Sequence, residues 1–537
     1  MTAKRSPTEN RPVCPERLES WKEIAAYFKR GVRTVRRWEK EEGLPVHRHV
    51  HNKLATVYAH RPELDAWWGV GRGEAVSTPV MVAVLPFRNL SSDPQQDYFS
   101  DGLTEEMISQ LGRLQPDSLA VIARTTVMQY KVSVKTAREI AAELRVNYLL
   151  EGSVRIEGDR ARVTARLIDA RNQTTLWTAS HEQPLRSILL LQRELAANIG
   201  REIRLKLSPQ ALPHALRDVD PVGYRWHLKG RHFLNSFTPA SVRQSVACFR
   251  KAIESDPAQA SFYASLAEAY ERLPMWSNTS ARQTFPLALD AATKALEFDP
   301  TLPDAYASLG LIHANYLWEW AHAERFFQRA LELNPGCSTA RQWYAEFLAE
   351  MGRTDEALLT IEPARVSDPL SSAIQSTRAF ALLLARRFDE AIHQAEQVLE
   401  VDPHYPMALL RLGLAYSGKG RHDDAIRVFE AAEEGAAGLL DCIALQGYAH
   451  GQIGNRRKAL KTLRTLKDLA NARYVPPFLL AVVFVGLGDF EEAVRCMEEE
   501  YDDRGWYLLL IKEAHQFDPL RAVPRFQALQ RRMAFPH

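Results

Sequence analysis

The second half of the sequence repeats with a fixed period, and this repetition limits the folds that the chain can adopt. From about residue 222 onward, glycines recur every 34 residues, and Arg386 occupies the position of the series that lacks a glycine. The glycines are Gly352, Gly420, Gly454 and Gly488. An Asp-Pro or Asn-Pro pair marks the other end of each unit, at Pro257, Pro300, Pro335, Pro369 and Pro403. This period predicts a solenoid, because each unit has an apolar face that only its neighbours can cover.

The proline spacing predicts one irregular unit. The first interval is 43 residues and the next three are 35, 34 and 34 residues. The second unit therefore carries about nine additional residues, and we expect them in a loop around LPMWSNTSARQ at 273–283.

The segment RLGLAYSGKGRHDDAIRVFEAA at 411–432 resembles the tetratricopeptide (TPR) family. The matching positions are Leu412, Gly413, Tyr416, Gly420, Ala425 and Phe429. In such a repeat, glycine ends the first helix with a left-handed cap, alanine allows two helices to approach closely, and proline closes the second helix. The resemblance implies an all-α solenoid over residues 222–537 whose concave face binds a protein or peptide partner, and RFQALQRRM at 525–533 is expected to form a polar capping helix.

Aromatic residues in the repeats allow two interpretations. Tyr316, Trp318, Trp320, Trp343 and Tyr344 could form a peptide-binding face or the core between repeats. Their helical spacing favours the core.

The N-terminal segment at 17–68 contains two short helical patterns joined by a tight turn. Ser20 and Glu23 have the spacing of a capping box, and Trp21, Ile24, Ala25 and Phe28 form one apolar stripe. After Lys29-Arg30-Gly31, a second helix is predicted from about Val32 to Glu41, with Val35 and Trp38 facing the core. Four cations share its opposite face, at Arg33, Arg36, Arg37 and Lys40.

A cationic face of this kind suits a recognition helix, because Arg can read guanine edges with two hydrogen bonds or contact phosphates beside the major groove. The following segment VHRHVHNKLATVYA is expected to form a hairpin wing that reaches the DNA backbone or the minor groove. The predicted DNA-binding residues are Arg33, Thr34, Arg36, Arg37, Lys40, Arg48, Asn52 and Lys53. Residues 17–68 carry a net charge of +4, whereas the whole chain carries only +2.

WKEIAAYF, VRTVRRWE and VYAHRPELDAWW resemble, in order and spacing, the winged helix-turn-helix of the MerR and excisionase group. The resemblance covers about a tenth of the chain. The acidic run Glu39, Glu41 and Glu42 departs from it by weakening the local positive field. A helical module that pairs with protein instead of DNA is the alternative, because basic helical faces are often only solvated surface. His47, His49 and His51 alternate on the first wing strand, but no fourth ligand is evident beyond His60, and no metal is expected.

Residues 80–207 combine strand and helix patterns. VMVAVLPF, SLAVIART, NYLLEGSVRI and ARVTARLIDA predict strands, and DGLTEEMISQLGRL, TAREIAAELRV and SILLLQRELAANIGREIRLKL predict helices. Asp97, Asp101, Glu105 and Glu106 are interpreted as capping residues of a helix that begins near Leu103. VAVLPFRNLSSDPQQDYFSDGLTEEMISQL and AREIAAELRVNYLLEGSVR resemble the TolB amino-terminal-like domain, a resemblance that implies a scaffold or sensor without a catalytic site.

Several function classes find no support in the sequence. There is no P-loop, dinucleotide fingerprint, GxSxG or HExxH motif, so neither an enzyme nor a cofactor is expected. The five cysteines form no CxxC pair, which favours reduced thiols. The N-terminus lacks an apolar export signal and no run of eighteen apolar residues occurs, so we expect a cytoplasmic protein without membrane contact.

The predicted fold class is a multidomain chain with a small winged helix-turn-helix, a mixed α/β domain and an all-α TPR solenoid. The expected boundaries are a disordered segment at 1–15, a DNA-binding domain at 16–68, a linker at 69–79, the α/β domain at 80–207, a second linker at 208–221 and the solenoid at 222–537. The predicted function is a DNA-binding transcriptional regulator that binds double-stranded DNA and a protein partner and can form a homodimer. The alternative is a TPR adaptor whose N-terminal module does not bind DNA.

Overall fold

The chain divides into two compact units, residues 1–79 and residues 80–537. The structure is a computed structural model. It describes residues 17–18, 20–28, 30–42, 44–51, 54–61, 63–64, 80–91, 93, 96–114, 118–203, 218–235, 238–277, 279–435 and 440–536. The predicted disordered segment at 1–15, the linker at 69–79 and most of the linker at 208–221 lie outside the described residues.

The described elements of the first unit are two helices and a three-stranded antiparallel sheet. The elements are β1 (Arg17–Leu18), α1 (Trp21–Tyr27), α2 (Val32–Glu42), β2 (His47–His51) and β3 (Leu54–His60). The strand order is β1-β3-β2. Ser20 begins α1 by accepting a hydrogen bond from the Glu23 N–H at 3.2 Å. Ile24, Val35 and Leu64 are fully buried and hold the helices and the sheet around one small core.

The second unit begins with a mixed sheet. Its strands are β4 (Val80–Val84), β5 (Arg88–Asn89), β6 (Leu119–Val121), β7 (Tyr148–Glu157), β8 (Arg160–Asp169) and β9 (Thr175–Pro184). Their order is β6-β4-β7-β8-β9, with β5 beside β7. β4 runs parallel to β6 and β7, whereas β7, β8 and β9 are antiparallel. The predicted strand SLAVIART is shorter than expected, because a helix follows Ala123 directly.

Helices cover both faces of this sheet. They are α3 (Asp97–Leu114), α4 (Arg124–Val127), α5 (Ala137–Leu144) and α6 (Ile188–Glu202). Alternate β4 residues enter opposite cores, since Val82 and Val84 pack with α3 and α6 whereas Ala83 packs with α5. The predicted helix start near Leu103 is wrong. The helix begins at Asp97, so Asp101 lies inside it, where its buried carboxylate accepts a 2.6 Å hydrogen bond from Lys131 Nζ instead of capping the helix.

Helical hairpins make up most of the remaining described residues of the second unit, in agreement with the predicted repeats. The helices are α7 (Pro221–Leu234), α8 (Pro239–Ser255), α9 (Ala260–Ser277), α10 (Ala281–Phe298), α11 (Pro303–Ile312), α12 (Trp320–Leu333), α13 (Ser338–Glu350), α14 (Thr354–Ser367), α15 (Ser372–Leu384), α16 (Phe388–Val401), α17 (Pro406–Gly418), α18 (His422–Gly435), α19 (Leu440–Gln452), α20 (Arg456–Ala470), α21 (Pro477–Leu487), α22 (Phe490–Asp502) and α23 (Pro524–Met533).

The periodic glycines adopt the left-handed backbone conformation that the repeat pattern predicts. Their φ angles are +78° at Gly352, +73° at Gly420, +76° at Gly454 and +75° at Gly488. Arg386 adopts the same conformation with φ of +60°, although it carries a side chain. The turn geometry of the repeat is therefore kept even where the residue type makes it less favourable.

The additional residues of the second repeat lengthen its helices. α9 and α10 have 18 residues each, compared with 13 or 14 in the helices α13 to α18. The predicted loop around 273–283 is wrong, because α9 continues through Pro274 to Ser277 and α10 begins at Ala281. No glycine interrupts this stretch, and Phe285 is buried in the core that the two helices share.

The C-terminal segment after α22 packs back onto earlier repeats. Two 3₁₀ helices, Trp506–Ile511 and His515–Leu520, precede α23. Lys512 Nζ donates to the Met351 carbonyl at 2.8 Å, and Arg386 donates to Asp518 at 2.7 Å. The Trp320 indole N–H donates to the Ala534 carbonyl at 2.9 Å. The terminal helix thus contacts a repeat more than 200 positions earlier in the chain.

The aromatic residues predicted to form either a binding face or the core pack mainly against other parts of the second unit. Trp318 and Tyr344 are buried, Tyr316 stacks on Phe285 and Trp320 stacks on Phe535. The structure thus agrees with the interpretation of this set as packing residues.

Candidate nucleic-acid interface

The position of α2 in the first unit is set by its apolar side. Gly31 ends the turn, and its carbonyl accepts hydrogen bonds from the N–H groups of Thr34 and Val35 at 3.0 and 3.2 Å. Val35 and Trp38 are fully buried, and the Trp38 ring meets Phe28 edge-on at 5.8 Å. Because both anchors lie on one side of the helix, its opposite side faces outward.

The outward side of α2 carries the predicted cations. The side chains of Arg33, Arg36, Arg37 and Lys40 are exposed, and Thr34 is half-buried. The Arg36 guanidinium lies over the Trp21 ring of α1, 5.3 Å from its centroid. This contact orients one cation while leaving its charge accessible. We call these four cations the α2 basic face.

The hairpin formed by β2 and β3 contributes one described candidate, Arg48. In β2, Arg48 lies opposite Val57 of β3. Its side chain is half-exposed and forms an ion pair with Glu39 of α2. Glu39 therefore forms an ion pair with a cation of the hairpin and joins the hairpin to the helix. The other two DNA-binding candidates predicted for this segment, Asn52 and Lys53, lie outside the described residues.

The first histidine of β2, His47, makes contacts within the unit. His47 Nε2 lies 2.6 Å from Glu63 Oε2, and the His47 ring stacks on Tyr58 with a centroid separation of 5.1 Å. The His60 ring lies 5.9 Å away. His47 therefore contributes contacts within the first unit through its ring stacking and its contact with Glu63.

A second polar feature joins the α/β region to the repeats and was not predicted. Arg231 of α7 donates to Glu105 of α3 at 3.0 Å and to Glu268 of α9 at 2.6 Å. Arg124 lies 3.3 Å from the other Glu105 oxygen. Burial alone would raise the pKa of Glu268, but Arg231 and Arg272 lower it to about 2. Sequence spacing could not reveal this network, because its partners lie up to 126 positions apart.

Sequence comparisons assign two parts of the chain. Residues 78–198 match the profile of the HilA/YgeH-like transcriptional regulator, second domain. Residues 78–198 are a HilA-like transcriptional-regulator domain. Residues 319–379 and 377–438 match tetratricopeptide-repeat profiles, which confirms the predicted TPR repeats. The predicted TolB-like resemblance of the same α/β region stays a prediction.

Two curated proteins illustrate the similarity. "Transcriptional regulator HilA" of Salmonella typhimurium is 24% identical over 458 residues, which cover 81% of this chain and 80% of that protein. "Putative adenylate cyclase 3" of Rhizobium meliloti is 32% identical over 234 residues, which cover 43% of this chain. The match spans only 39% of the length of that relative.

Solved structures give a weaker likeness. The human IFIT1 dimer with m7Gppp-AAAA is 18% identical with a TM-score of 0.40, and the match covers 58% of this chain and 78% of that one. Within the described part of the chain, no helix is both long enough and apolar enough to cross a membrane.

Proposed function

We propose that this protein is a transcriptional regulator that binds double-stranded DNA through its first unit and a protein partner through its TPR repeats. The α2 basic face carries the DNA-binding part of the proposal. The HilA-like domain and the TPR repeats carry the regulatory part.

The first unit has the element order that a winged helix-turn-helix requires. A helix, a tight turn and a second helix are followed by an antiparallel hairpin. We infer that α2 enters the major groove, because its buried side packs on the unit and its exposed side presents four cations. The Arg48 pair with Glu39 keeps the hairpin beside α2, where a wing can reach the DNA backbone.

The neighbouring domain supports the same function. Residues 78–198, which match a transcriptional-regulator domain, begin at the end of the first unit. A protein named as a transcriptional regulator is similar over most of both chains. We therefore infer that the two units serve one regulatory activity in the cytoplasm, and that the HilA-like domain acts as a scaffold or sensor without enzymatic activity.

The repeats suit a protein partner, because stacked helical hairpins present an extended surface. We propose that this partner, or a second copy of the chain, binds the concave face. Pairing of two chains would place two DNA-binding units on neighbouring half-sites and raise the affinity through avidity.

Electrophoretic mobility shifts with the full-length protein and duplex fragments of its own genome test the DNA-binding proposal. About five phosphate contacts would reduce the affinity by several hundredfold between 50 and 200 mM salt. Arg37→Ala should weaken binding by about 1 to 3 kcal/mol if Arg37 reads a base.

Arg138→Ala is the matched control, because Arg138 is also an exposed helical arginine but belongs to α5 of the second unit. We expect its affinity to equal that of the unsubstituted protein. If no duplex shifts at 50 mM salt, the proposal is wrong and the TPR adaptor becomes the preferred function. If both variants bind equally well, Arg37 does not read a base and the α2 basic face is assigned to solvent.

A further inference from the structure

Two histidines and a glutamate come together between α11 and α12. His313 begins a π-helical turn, His313–Leu317, that follows α11, and Glu319 precedes the first residue of α12. His322 lies in the first turn of α12. His313 Nδ1 lies 2.9 Å from Glu319 Oε2, and His322 Nδ1 lies 3.5 Å from the same oxygen. The ligand atoms of all three residues lie within 4.8 Å of one another.

The backbone holds this cluster in place. The Glu319 N–H donates to the His313 carbonyl at 3.0 Å, and the His322 N–H donates to the Glu319 carbonyl at 2.9 Å. Trp318, which directly precedes Glu319, has a left-handed backbone with φ of +58°. Such a conformation is costly for a bulky residue, and π-helical turns occur frequently at functional sites. The contacts of the buried Trp318 ring with Tyr501 at 4.8 Å and with the Arg504 guanidinium at 4.5 Å maintain the turn.

The donor set is suited to a transition-metal ion. Two imidazole nitrogens and one carboxylate oxygen form a common zinc ligand set with an open coordination position. Metal–ligand bonds of about 2.0 to 2.1 Å place tetrahedral ligand atoms ~3.3 Å apart. The two separations from Glu319 Oε2, 2.9 Å to His313 and 3.5 Å to His322, bracket this value, and the ligand atoms of all three residues lie within 4.8 Å of one another. Glu319 and His322 are half-exposed, so an ion can enter from solvent and keep a water or an external ligand.

We propose that His313, Glu319 and His322 bind one divalent zinc-like cation, which braces the π-helical turn between α11 and α12. The Phe326 ring lies 4.9 Å from the His313 ring and forms an apolar wall on one side of the site. The ion takes the place of the hydrogen bond between His313 and Glu319 and joins the turn to α12. Because Trp318 directly follows this turn, metal binding also stabilises the contacts of the Trp318 ring with Tyr501 and Arg504.

Cobalt titration of the tag-free, full-length protein tests this site. After treatment with EDTA and removal of the chelator, the protein should bind one equivalent of Co²⁺ with the visible absorption of a four- or five-coordinate ion, and Zn²⁺ should displace it. His322→Ala and Glu319→Gln should each weaken binding at least about tenfold, since even second-shell partners contribute about 10 to 100-fold. Both side chains are half-exposed, so the variants should fold normally, as circular dichroism would verify.

His393→Ala is the matched control, because His393 is an exposed helical histidine of α16 that contacts Gln397 at 3.2 Å. We expect its Co²⁺ affinity to equal that of the unsubstituted protein. The absence of a one-equivalent Co²⁺ species would overturn the proposal. Co²⁺ binding that persists unchanged in His322→Ala and Glu319→Gln would also overturn it, and would assign the ion to another histidine cluster such as 47–51.

Discussion

Asp368 is a buried carboxylate at a contact between the HilA-like domain and the repeats, and replacing it with asparagine should change the pH dependence of stability. The residue follows α14 and is 1% exposed. Thr126 of α4 donates a hydrogen bond to one carboxylate oxygen, and Thr125 donates to the other at 3.1 Å. Burial raises the pKa of Asp368 to about 6, although the hydroxyls of Thr126, Thr125 and Ser371 act in the opposite direction.

The sign and size follow from linkage. Because the folded-state pKa lies above the ordinary value of 3.8, this group stabilises the fold below about pH 4 and loses that contribution as the pH rises through 6. One pKa unit corresponds to about 1.4 kcal/mol, so the full loss is about 3 kcal/mol, of which about 2 kcal/mol falls between pH 4.5 and pH 7.5. Asparagine has the shape of the protonated acid and no charge to bury.

Urea unfolding of the full-length protein and of Asp368→Asn at both pH values measures this effect. Relative to the unsubstituted protein, the free energy of unfolding of the variant should rise by about 2 kcal/mol from pH 4.5 to pH 7.5. Other carboxyls with raised pKa values are present in both proteins and cancel in the difference. One of them is Glu106, whose pKa is raised to about 7 by desolvation and by the charge of Glu105.

Thr126→Val provides a control of opposite sign. It removes a hydroxyl donor, so it should destabilise the protein more at pH 7.5, where Asp368 is charged, than at pH 4.5. Leaving the charged oxygen of Asp368 without this donor costs roughly 1 to 3 kcal/mol. The reasoning would be refuted if the free energy of unfolding of Asp368→Asn, minus that of the unsubstituted protein, stays constant or falls between pH 4.5 and pH 7.5.

Two further predictions concern packing in the second unit. Gly486→Ala should lower the free energy of unfolding by about 1 to 3 kcal/mol, because the new Cβ would lie 2.5 Å from the Tyr448 carbonyl oxygen. Gly112→Ala is the control, because its Cβ meets open space in α3, and it should raise the free energy of unfolding by up to about 1 kcal/mol. Equal effects of the two substitutions in denaturant titrations would contradict the close approach at Gly486. Arg231→Met should destabilise by about 3 to 5 kcal/mol by leaving Glu105 and Glu268 without their shared cation, and adding Glu105→Gln and Glu268→Gln should recover part of the loss. Failure of the triple variant to recover stability in the same titrations would show that Arg231 acts through packing.

Local patterns were sufficient for the features that depend on periodicity. The 34-residue glycine series predicts the left-handed turns of the repeats, and Arg386 adopts that turn without a glycine. The spacing of Arg33, Arg36, Arg37 and Lys40 predicts their common exposed face, because a helix returns to the same side every three to four residues. Both features follow from the geometry of a single element or a single repeat.

A strand with few buried residues could not be predicted from its polar sequence. The strand β9 was not predicted, because TLWTASHEQP is mostly polar and the strand lies at the edge of the sheet with exposed or half-exposed residues. Its hydrogen bonds to β8 determine its conformation, and such pairing leaves little trace in residue type.

The sequence by itself determined the repeat architecture, the basic face of α2 and the alternation of strands and helices in the regulator domain. Only the tertiary structure decided which distant groups meet: Arg231 with Glu105 and Glu268, Asp368 with Thr126, and the C-terminal helix with Trp320. It also brought His313, Glu319 and His322 together through a π-helical turn. The physical reason is that helix and turn preferences act over a few residues, whereas these contacts depend on how completed helices pack, which no short period in the sequence encodes.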